Sequence, residues 1–334
     1  MALEVGIAGA TGVVGRELLD LLERRRFPLG RLRLFASHRS LGRVVRFGDR
    51  DLVVEDLAQA DPSGLDLMLF SCGKAVAREQ APRFAEAGAI VIDNSSAFRG
   101  DPEIPLVVPE VNGPVLEHWS GRIIANPNCS TIILLLPLAA LHRTFGLAEV
   151  VVSTYQAVSG AGQAAVDDLL GQARAFARGE SETWTHYDRP IFLNLIPTIG
   201  GMTEGGDCHE EQKMVRESHR ILDDASFPLY ATTIRVPVER CHSESVFVRL
   251  RRPVTREEVC AGLRDAPGVL LDELPTPREL ARREEVFVGR IRVGPEDPSI
   301  VRFWVVSDQL WKGAALNVIQ VAEQLIRQGR FESE

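Results

Sequence analysis

The segment Asn126-Pro-Asn-Cys129-Ser-Thr131 carries the clearest chemical signal in the chain, because a cysteine stands between helix-start residues and an apolar run, residues 132–141. Asn and Pro before a helical stretch are typical start signals, so the sequence predicts Cys129 at or near an exposed helix N-terminus. The unpaired N–H groups and the dipole of such an end stabilise a thiolate. Most single cysteines are small buried side chains, but these flanking residues favour a catalytic nucleophile.

A second motif, Gly9-Ala-Thr11-Gly12-Val13-Val14-Gly15, follows the first predicted strand and opens the first predicted helix. Glycines at these positions permit a tight turn, a close approach of phosphate to backbone N–H groups, and tight helix–strand packing. The spacing alone is a weak signal, which a glycine-rich connection without a ligand shares. Its place in a βαβ unit favours a dinucleotide-binding loop.

The end of the second predicted strand points to the type of cofactor. NAD-binding loops usually carry Asp or Glu there for the ribose 2′-hydroxyl, whereas residues 34–40 contain no carboxylate. Arg39 and the hydroxyl of Ser40 are suited to a 2′-phosphate, Arg39 through a charge-assisted contact. The alternative for Arg39 is a solvated loop charge. The sequence therefore predicts NADP rather than NAD.

The elements that must position these motifs form two groups along the chain. In the first 125 residues, short apolar runs alternate with helix-period segments, which predicts an α/β domain with a parallel sheet between helices. Residues 44–54, around Gly48-Asp49, predict a hairpin added to this sheet. The predicted strands here are 3–8, 31–36, 65–71, 89–93 and 122–125, and the predicted helices are 12–24 and 74–87.

Beyond residue 148 the pattern changes to longer strands rich in Val, Thr, Phe and Ile, with helices between them. This predicts a second, α+β domain on a mixed or antiparallel sheet. The amphipathic helix over residues 311–328 is placed to return to the first domain. The predicted strands are 149–157, 230–236, 245–251, 286–293 and 299–307, and the other helices are 162–178, 208–223 and 256–265.

Composition excludes several classes of protein. The 334 residues carry a net charge of −8 with no basic block, which disfavours nucleic acid as a partner. The apolar run 132–141 is shorter than the roughly 20 residues that a membrane-spanning helix needs, and the N-terminus shows no signal-peptide pattern. Five scattered cysteines without a CxxC motif fit a reducing cytoplasm. Cys208-His209 and Cys241-His242 lack zinc-ligand spacing, so no metal is predicted.

Several segments along the chain form a combined pattern. They are the glycine loop, Asp93-Asn-Ser-Ser-Ala-Phe-Arg99, the Cys129 motif, Tyr155-Gln-Ala-Val-Ser-Gly-Ala-Gly162, Arg235-Val-Pro-Val238 and His242-Ser-Glu244. Together they resemble the aspartate-β-semialdehyde dehydrogenase family from the first strand to the last helix. The resemblance implies an NADP-binding Rossmann domain, residues 1–128 completed by 311–334, and a catalytic and dimerisation domain, residues 129–310. It also implies a cytoplasmic homodimer or higher homo-oligomer of amino-acid biosynthesis.

The resemblance also implies a reaction: NADPH reduces aspartyl phosphate to the semialdehyde, reversibly, with phosphate released and Cys129 forming a thioester. His242 would be the acid/base, exchanging a proton near neutral pH with an ordinary pKa near 6.5. The resemblance further implies that Gln156 orients the substrate, that Arg235 binds its carboxylate and that Glu210 binds its amino group. It implies that Arg99 and Lys213 bind phosphate. The implied cofactor-binding residues are the glycine loop, Arg39, Ser40, Ser159, Gly160 and Gln309.

Several other interpretations stand beside these roles. Glu210 and Lys213 are three apart on a predicted helix, where an ordinary surface ion pair is the usual finding, and Ser159-Gly160 also suits a flexible turn. Cys241 stands where the family pattern has glycine, which predicts a second thiol beside the acid/base, and Gln309 stands where the family more often has Asn.

Two alternatives compete with the resemblance as a whole. N-acetyl-glutamyl-phosphate reductase shares the chemistry but places its cysteine in a Gly-Cys-Tyr context. A non-catalytic NADP-binding paralogue is opposed by the joint presence of Cys129, Gln156, Arg235 and His242.

Overall fold

The computed structural model describes residues 2–332, and their backbone falls into two compact units. The first unit comprises the described residues up to Pro127 and those from Ala314 onward. The second unit is Asn128–Gly313. Each unit is built on its own mixed β-sheet.

The first unit holds a seven-stranded sheet in the order β3-β4-β2-β1-β5-β6-β7. All neighbours pair in parallel except β3 and β4, which form the predicted antiparallel hairpin, and β4 joins the sheet in parallel with β2. The bounds are β1 (Leu3–Ala8), β2 (Leu29–Ala36), β3 (Val44–Phe47), β4 (Arg50–Asp56), β5 (Leu67–Phe70), β6 (Ile90–Asp93) and β7 (Ile123–Ala125).

Four helices accompany this sheet: α1 (Val13–Arg24), α2 (Lys74–Glu86), α3 (Pro109–Asn112) and α8 (Leu316–Arg327). Helix α2 packs on β5, β6 and β7, and α8 packs on α1, α3 and β6. The buried Asn317 on α8 donates hydrogen bonds to the Val107 carbonyl and to Asn126 Oδ1, at 2.9 and 2.7 Å. Helix α8 is thereby held to the first unit by hydrogen bonds of a side-chain amide as well as by apolar contacts.

The second unit holds a six-stranded sheet in the order β11-β12-β13-β10-β8-β9. Its outer pairs, β11 with β12 and β8 with β9, are parallel, and the central pairs are antiparallel. The bounds are β8 (Leu147–Gln156), β9 (Leu229–Arg235), β10 (His242–Leu250), β11 (Val269–Leu271), β12 (Val286–Val293) and β13 (Ile300–Ser307).

Helix α4 (Cys129–Phe145) is the centre of the second unit and is buried almost throughout. It packs on β8, β10, β12 and β13 and on two further helices, α6 (His209–Leu222) and α7 (Arg256–Arg264). The unit also contains helix α5 (Gln163–Arg178). A helix that is apolar all round belongs in a core. Its burial holds its first residue, Cys129, in a fixed place.

Several elements differ from the sequence-based predictions: α3 was not predicted, and β2 and β8 each begin two residues earlier than expected. Strand β10 begins at His242, three residues before the predicted start, because the polar run His242-Ser-Glu244 pairs with β13 and β8 although it lacks strand-forming side chains. The short strand β11 was not predicted. The last helix opens with a π-helical turn, Trp311–Ala315, before α8 begins.

Candidate active site

Cys129 is the first residue of α4, as its sequence context predicts, and its side chain is half-buried. Asn128 is the N-cap: its backbone is extended, and its Oδ1 accepts a hydrogen bond from the Thr131 amide at 3.2 Å. Asn is among the preferred N-cap residues because its side chain satisfies an amide that the helix leaves unpaired. The positive end of the α4 dipole therefore lies at the cysteine sulfur and favours negative charge there.

Two carboxylates from α6 bind the capping residue. Glu217 Oε2 accepts the backbone N–H of Asn128 at 2.6 Å, and Glu210 Oε1 accepts from the Asn128 side-chain nitrogen at 2.7 Å. Both glutamates are about 95% buried. The two glutamates are seven residues apart and therefore lie on one face of α6. Together they bind both the backbone and the side chain of Asn128, and this fixes the start of α4.

His242 contacts Cys129 directly. Its Nε2 lies 3.5 Å from Cys129 Sγ, and its Nδ1 accepts the backbone N–H of Ala157 at 3.1 Å. The ring is fully buried, and burial together with the positive charge of Arg235 lowers the pKa of His242 well below its ordinary value. The prediction of an ordinary pKa is therefore wrong: the imidazole is neutral at physiological pH, because the protein interior does not solvate its charged form.

Gln156 and Arg235 end two parallel strands, β8 and β9, and pair directly across them. Arg235 is buried, and its Nη1 donates to the Ala157 carbonyl at 2.6 Å. Gln156 Nε2 lies 3.5 Å from Glu210 Oε1. The carboxyl ends of these strands thus bring a guanidinium, an amide and a carboxylate to one place.

Lys213 and Glu210 form an ion pair on α6, with Lys213 Nζ 3.2 Å from Glu210 Oε2. The Lys213 side chain is 33% exposed and that of Glu210 only 7%. The predicted shared helix face is confirmed. The Glu210 carboxylate therefore contacts three side chains, those of Lys213, Asn128 and Gln156, whereas an ordinary surface ion pair joins only two.

Ser159, Gly160 and Gln309 also belong to this cluster. Gln309 Nε2 donates to Ser159 Oγ at 2.7 Å, while Gln309 Oε1 accepts the backbone N–H of Cys241 at 2.8 Å. Gly160 lies against His242: a β-carbon on it would come within 3.1 Å of His242 Cε1. Gln309 therefore links the turn after β8 to the residue just before His242.

Cys241 does not place a second thiol beside the imidazole. Its side chain is fully buried in an apolar cluster with Leu280, Phe287 and Val306. The sulfur therefore packs among apolar side chains of this cluster. Its φ of +71° is in the left-handed region, where a side chain is strained and glycine is not, which explains why glycine suits this position.

The remaining predicted site residues lie in the first unit. In the glycine loop, Gly9 has φ +81° and a β-carbon there would come 2.2 Å from the Ser71 carbonyl oxygen; a β-carbon on Gly15 would come 2.2 Å from the Gly9 carbonyl oxygen. Both positions therefore admit only glycine. Gly12 is the N-cap of α1, and Val13 and Val14 begin the helix.

The loop after β2 lies next to this turn. Thr11 Oγ1 is 3.4 Å from Ser40 Oγ, and Arg39 is exposed. Arg99 is half-buried at the end of the loop that follows β6, where its guanidinium donates to the carbonyls of Ser95 and Asn94 at 3.0 and 2.9 Å.

Residues 2–332 contain no group of three or more His, Cys, Asp or Glu side chains arranged to hold a metal ion. Within the same range, no helix is both long enough and apolar enough to cross a membrane.

Sequence reasoning missed two groups of the cluster, Glu217 and the backbone amide of Ala157. Glu217 lies 89 positions from Asn128, and Ala157 lies 85 positions from His242. A backbone amide has no sequence signature, but Glu217 follows Glu210 by seven residues, which a search along the predicted helix face could have found.

Comparisons with known proteins identify the family. Residues 4–119 match the family model "Semialdehyde dehydrogenase, NAD binding domain", and residues 138–312 match "Semialdehyde dehydrogenase, dimerisation domain". These matches define the class: a semialdehyde dehydrogenase, an oxidoreductase with an NAD(P)-binding domain.

Individual relatives show which family within this class the chain resembles. The aspartate-semialdehyde dehydrogenase of Aquifex aeolicus is 43% identical over 338 residues, covering 98% of this chain and 99% of that protein. A crystal structure of aspartate semialdehyde dehydrogenase II from Vibrio cholerae, complexed with ASA, has a TM-score of 0.95 at 40% identity and covers 98% of this chain and 99% of that one. A Candida albicans aspartate semialdehyde dehydrogenase with NADP has a TM-score of 0.79 at 26% identity, covering 98% and 99%. The chain belongs to the aspartate-semialdehyde dehydrogenase family, which confirms the resemblance and the predicted fold class.

The left-handed backbone at Cys241 predicts that glycine at this position gives a more stable protein than alanine, the reverse of the usual order. Replacing Cys241 with Ala removes the buried sulfur and keeps the strain, whereas Cys241→Gly relieves the strain by about 1 kcal/mol. We expect Cys241→Gly to be more stable than Cys241→Ala in urea unfolding. At the buried Cys260 on α7 the order reverses, because Gly weakens a helix interior by about 1 kcal/mol relative to Ala. Equal stabilities at position 241 would contradict strain there.

The contact between Glu217 and Asn128 predicts a positioning role. Glu217→Ala leaves the Asn128 amide without this acceptor and loosens the start of α4, so we expect kcat to fall by about tenfold to a hundredfold. Glu217→Gln keeps an acceptor oxygen and should recover most of the loss. The measurement is steady-state kcat, with circular dichroism to verify folding. If Gln is as damaging as Ala, the charge of Glu217 matters rather than its geometry.

Proposed function

We propose that this chain is an aspartate-semialdehyde dehydrogenase. It catalyses the reversible, NADPH-dependent reductive dephosphorylation of L-aspartyl 4-phosphate to L-aspartate 4-semialdehyde, through a thioester on Cys129, in lysine, threonine and methionine biosynthesis. The observation that carries the proposal is the contact of 3.5 Å between Cys129 Sγ and His242 Nε2 at the capped start of α4, in a chain of this family.

Cys129 is the nucleophile in this proposal. A sulfur at the positive end of a helix attacks an acyl carbon as a thiolate, and the resulting thioester divides one difficult acyl reduction into two easier transfers. Gln156, the last residue of β8, orients the carbonyl group of the substrate. His242 is the acid/base, which exchanges a proton with the sulfur and with the oxygen of the substrate carbonyl group.

The charged groups around the cysteine match a substrate with an α-amino acid end. Arg235 binds the α-carboxylate through its planar guanidinium, which suits a carboxylate better than an ammonium group does. Glu210 binds the α-amino group. Lys213 binds phosphate, and Arg99 is the second phosphate ligand. In a chain of net charge −8, such local cations are needed to attract anions.

The first unit fits a dinucleotide. The two glycines whose β-carbons would collide with backbone oxygens permit the tight turn between β1 and α1 that a pyrophosphate loop needs. Thr11, Gly12, Val13 and Val14 bind the dinucleotide there. Arg39 and Ser40 bind the 2′-phosphate of NADP. Ser159, Gly160 and Gln309 contact the nicotinamide end. When bound, NADP supplies the hydride acceptor and NADPH the hydride donor.

The assembly is a cytoplasmic homodimer or higher homo-oligomer, with small-molecule substrate and phosphate as ligands. One face of the second sheet supports this: Val151 and Tyr230 are paired across β8 and β9 and are 38% and 59% exposed. Phe247 pairs with Val151 on the other side. An apolar row across a sheet marks a protein contact surface, and it lies within the segment that matches a dimerisation domain.

Removal of the sulfur tests the proposed function. We expect Cys129→Ala to abolish formation of NADPH from semialdehyde, phosphate and NADP, while fluorescence titration shows unchanged NADPH binding. Cys260→Ala, which changes a buried cysteine on α7, is the control and should keep its activity. Appreciable turnover by Cys129→Ala would overturn the thioester route.

The choice of cofactor is tested at Arg39. Loss of a charge-assisted bond to the 2′-phosphate costs about 1.5–3 kcal/mol, so Arg39→Ala should raise the KM for NADP by roughly tenfold to a hundredfold and leave that for NAD nearly unchanged. Arg43→Ala, at an exposed neighbour, is the control. Equal weakening for both dinucleotides would place Arg39 away from the 2′-phosphate.

The two anion sites are tested separately. Arg235→Lys keeps the charge but loses the planar fork, so it should raise the KM for semialdehyde far more than the KM for phosphate. Lys213→Ala should do the reverse, and arsenate should weaken in parallel with phosphate. Equal effects of Arg235→Lys on both KM values would contradict the division into two sites.

A further inference from the structure

The backbone of Gly313 packs against the first residue of α4. A β-carbon on Gly313 would come 2.9 Å from the Cys129 β-carbon and 3.3 Å from the Cys129 α-carbon. Rotation of a side chain cannot relieve this overlap, because the backbone of α4 fixes the positions of both atoms. A side chain at position 313 would therefore force Cys129 and this segment apart.

Gly313 belongs to the π-helical turn Trp311–Ala315, which follows β13. The Asp308 carbonyl accepts hydrogen bonds from the backbone amides of Trp311 and Gly313, at 3.1 and 3.2 Å. The bond from Gly313 spans five residues, as in a π-helix, whereas an α-helical bond spans four. Single turns of this kind are frequent at functional sites, and this one includes the glycine that packs against Cys129.

The side chain of Asp308 anchors this turn. Its Oδ1 accepts the backbone N–H groups of Leu310 and Trp311 at 3.0 and 3.2 Å, in the manner of a helix N-cap. Its Oδ2 accepts Nε–H of Arg240 at 2.6 Å and the backbone N–H of Arg282 at 2.7 Å. The carboxylate is fully buried, and it tolerates burial because both oxygens have donors. Asp308 thus joins the turn to two other segments of the second unit.

We propose that Asp308 and Gly313 are positioning residues for the nucleophile. Asp308 fixes the π-helical turn, and the turn holds Cys129 in place through the backbone of Gly313. This is a second support for the start of α4, separate from the bonds between Asn128 and α6. All of its parts lie in the second unit, as Cys129 does. The inference rests on the proposed function only for the role of Cys129 as the nucleophile.

Displacement of the sulfur has a kinetic signature that general damage to the site does not share. A misplacement of a reacting group by about 1 Å can lower the rate by about a hundredfold. The groups that bind the substrate in the proposed function, Arg235 and Glu210, lie on β9 and α6 rather than in this turn. Loss of the support should therefore lower kcat and leave the KM for semialdehyde near its original value.

Gly313→Ala tests the contact with a single methyl group. We expect kcat to fall by about tenfold to a hundredfold, with little change in the KM for semialdehyde. Gly171→Ala, at an exposed position of α5, is the matched control: among the described residues, a β-carbon there meets no atom outside its own helix within 4 Å, so kcat should be unchanged. A folded Gly313→Ala variant with the original kcat would overturn the proposal.

Alkylation reports on the sulfur without turnover. The rate of iodoacetamide modification of Cys129, followed by peptide mass spectrometry, gives the pH midpoint of thiolate formation. In Gly313→Ala we expect this midpoint to move to higher pH, because the sulfur is displaced from the positive end of α4, and in Gly171→Ala to stay unchanged. An unshifted midpoint in Gly313→Ala would contradict the proposal. The assay needs no substrate, so failure of the proposed function is distinguishable from failure of this one.

Two substitutions at Asp308 separate positioning from stability. Asp308→Asn keeps an acceptor oxygen for the amides of the turn, and Asp308→Ala does not. Both remove the carboxylate that pairs with Arg240, so both should unfold at lower urea concentration than the original protein. We expect Asn to retain most of kcat and Ala to lose about tenfold or more. Equal kcat values for the two folded variants would overturn the role of Asp308. Gly313→Ala, which leaves the bonds of Asp308 in place, decides the proposal if Asp308→Ala does not fold.

Discussion

The capped start of α4 is the constraint on which the site depends. Asn128 closes the first turn of the helix through Thr131, and α6 holds Asn128 by its backbone and by its side chain. If the helix began one residue later, Cys129 would rotate by about 100° and move by about 1.5 Å along the axis. The sulfur would then lose its contact with His242 Nε2. The buried body of α4 and the two glutamates together prevent this shift.

Local signals explain what the sequence could predict. The helix start at Cys129 follows from Asn and Pro, and the glycine loop follows from the steric demands of a phosphate turn, so both are encoded within a few residues. Strands such as β12 and β13 are rich in β-branched and aromatic side chains and were predicted to within one residue. The family resemblance supplied other residues of the cluster that lie far apart in the chain, such as Gln156, Arg235 and His242, but not Glu217 or the Ala157 amide.

Features created by contacts between distant segments could not be predicted in this way. The polar start of β10 forms a strand only because β8 and β13 lie on either side of it. The burial of the Cys241 side chain depends on Leu280, Phe287 and Val306, which lie far along the chain, so no residue near position 241 encodes it. Likewise, the pKa of His242 depends on complete burial beside Arg235. From the sequence alone, only the ordinary pKa of a histidine can be assigned, because its burial and its charged neighbours are not known.

These contacts give Arg235 two separate effects on His242. Its guanidinium donates to the Ala157 carbonyl at 2.6 Å, and the N–H of the same residue donates to His242 Nδ1 at 3.1 Å, so Arg235 helps to fix the segment that orients the imidazole. Burial of the ring, together with the positive charge of Arg235, also lowers the pKa of His242. The orientation of the imidazole and its protonation therefore both depend on one residue at the end of β9, and a change at Arg235 affects both.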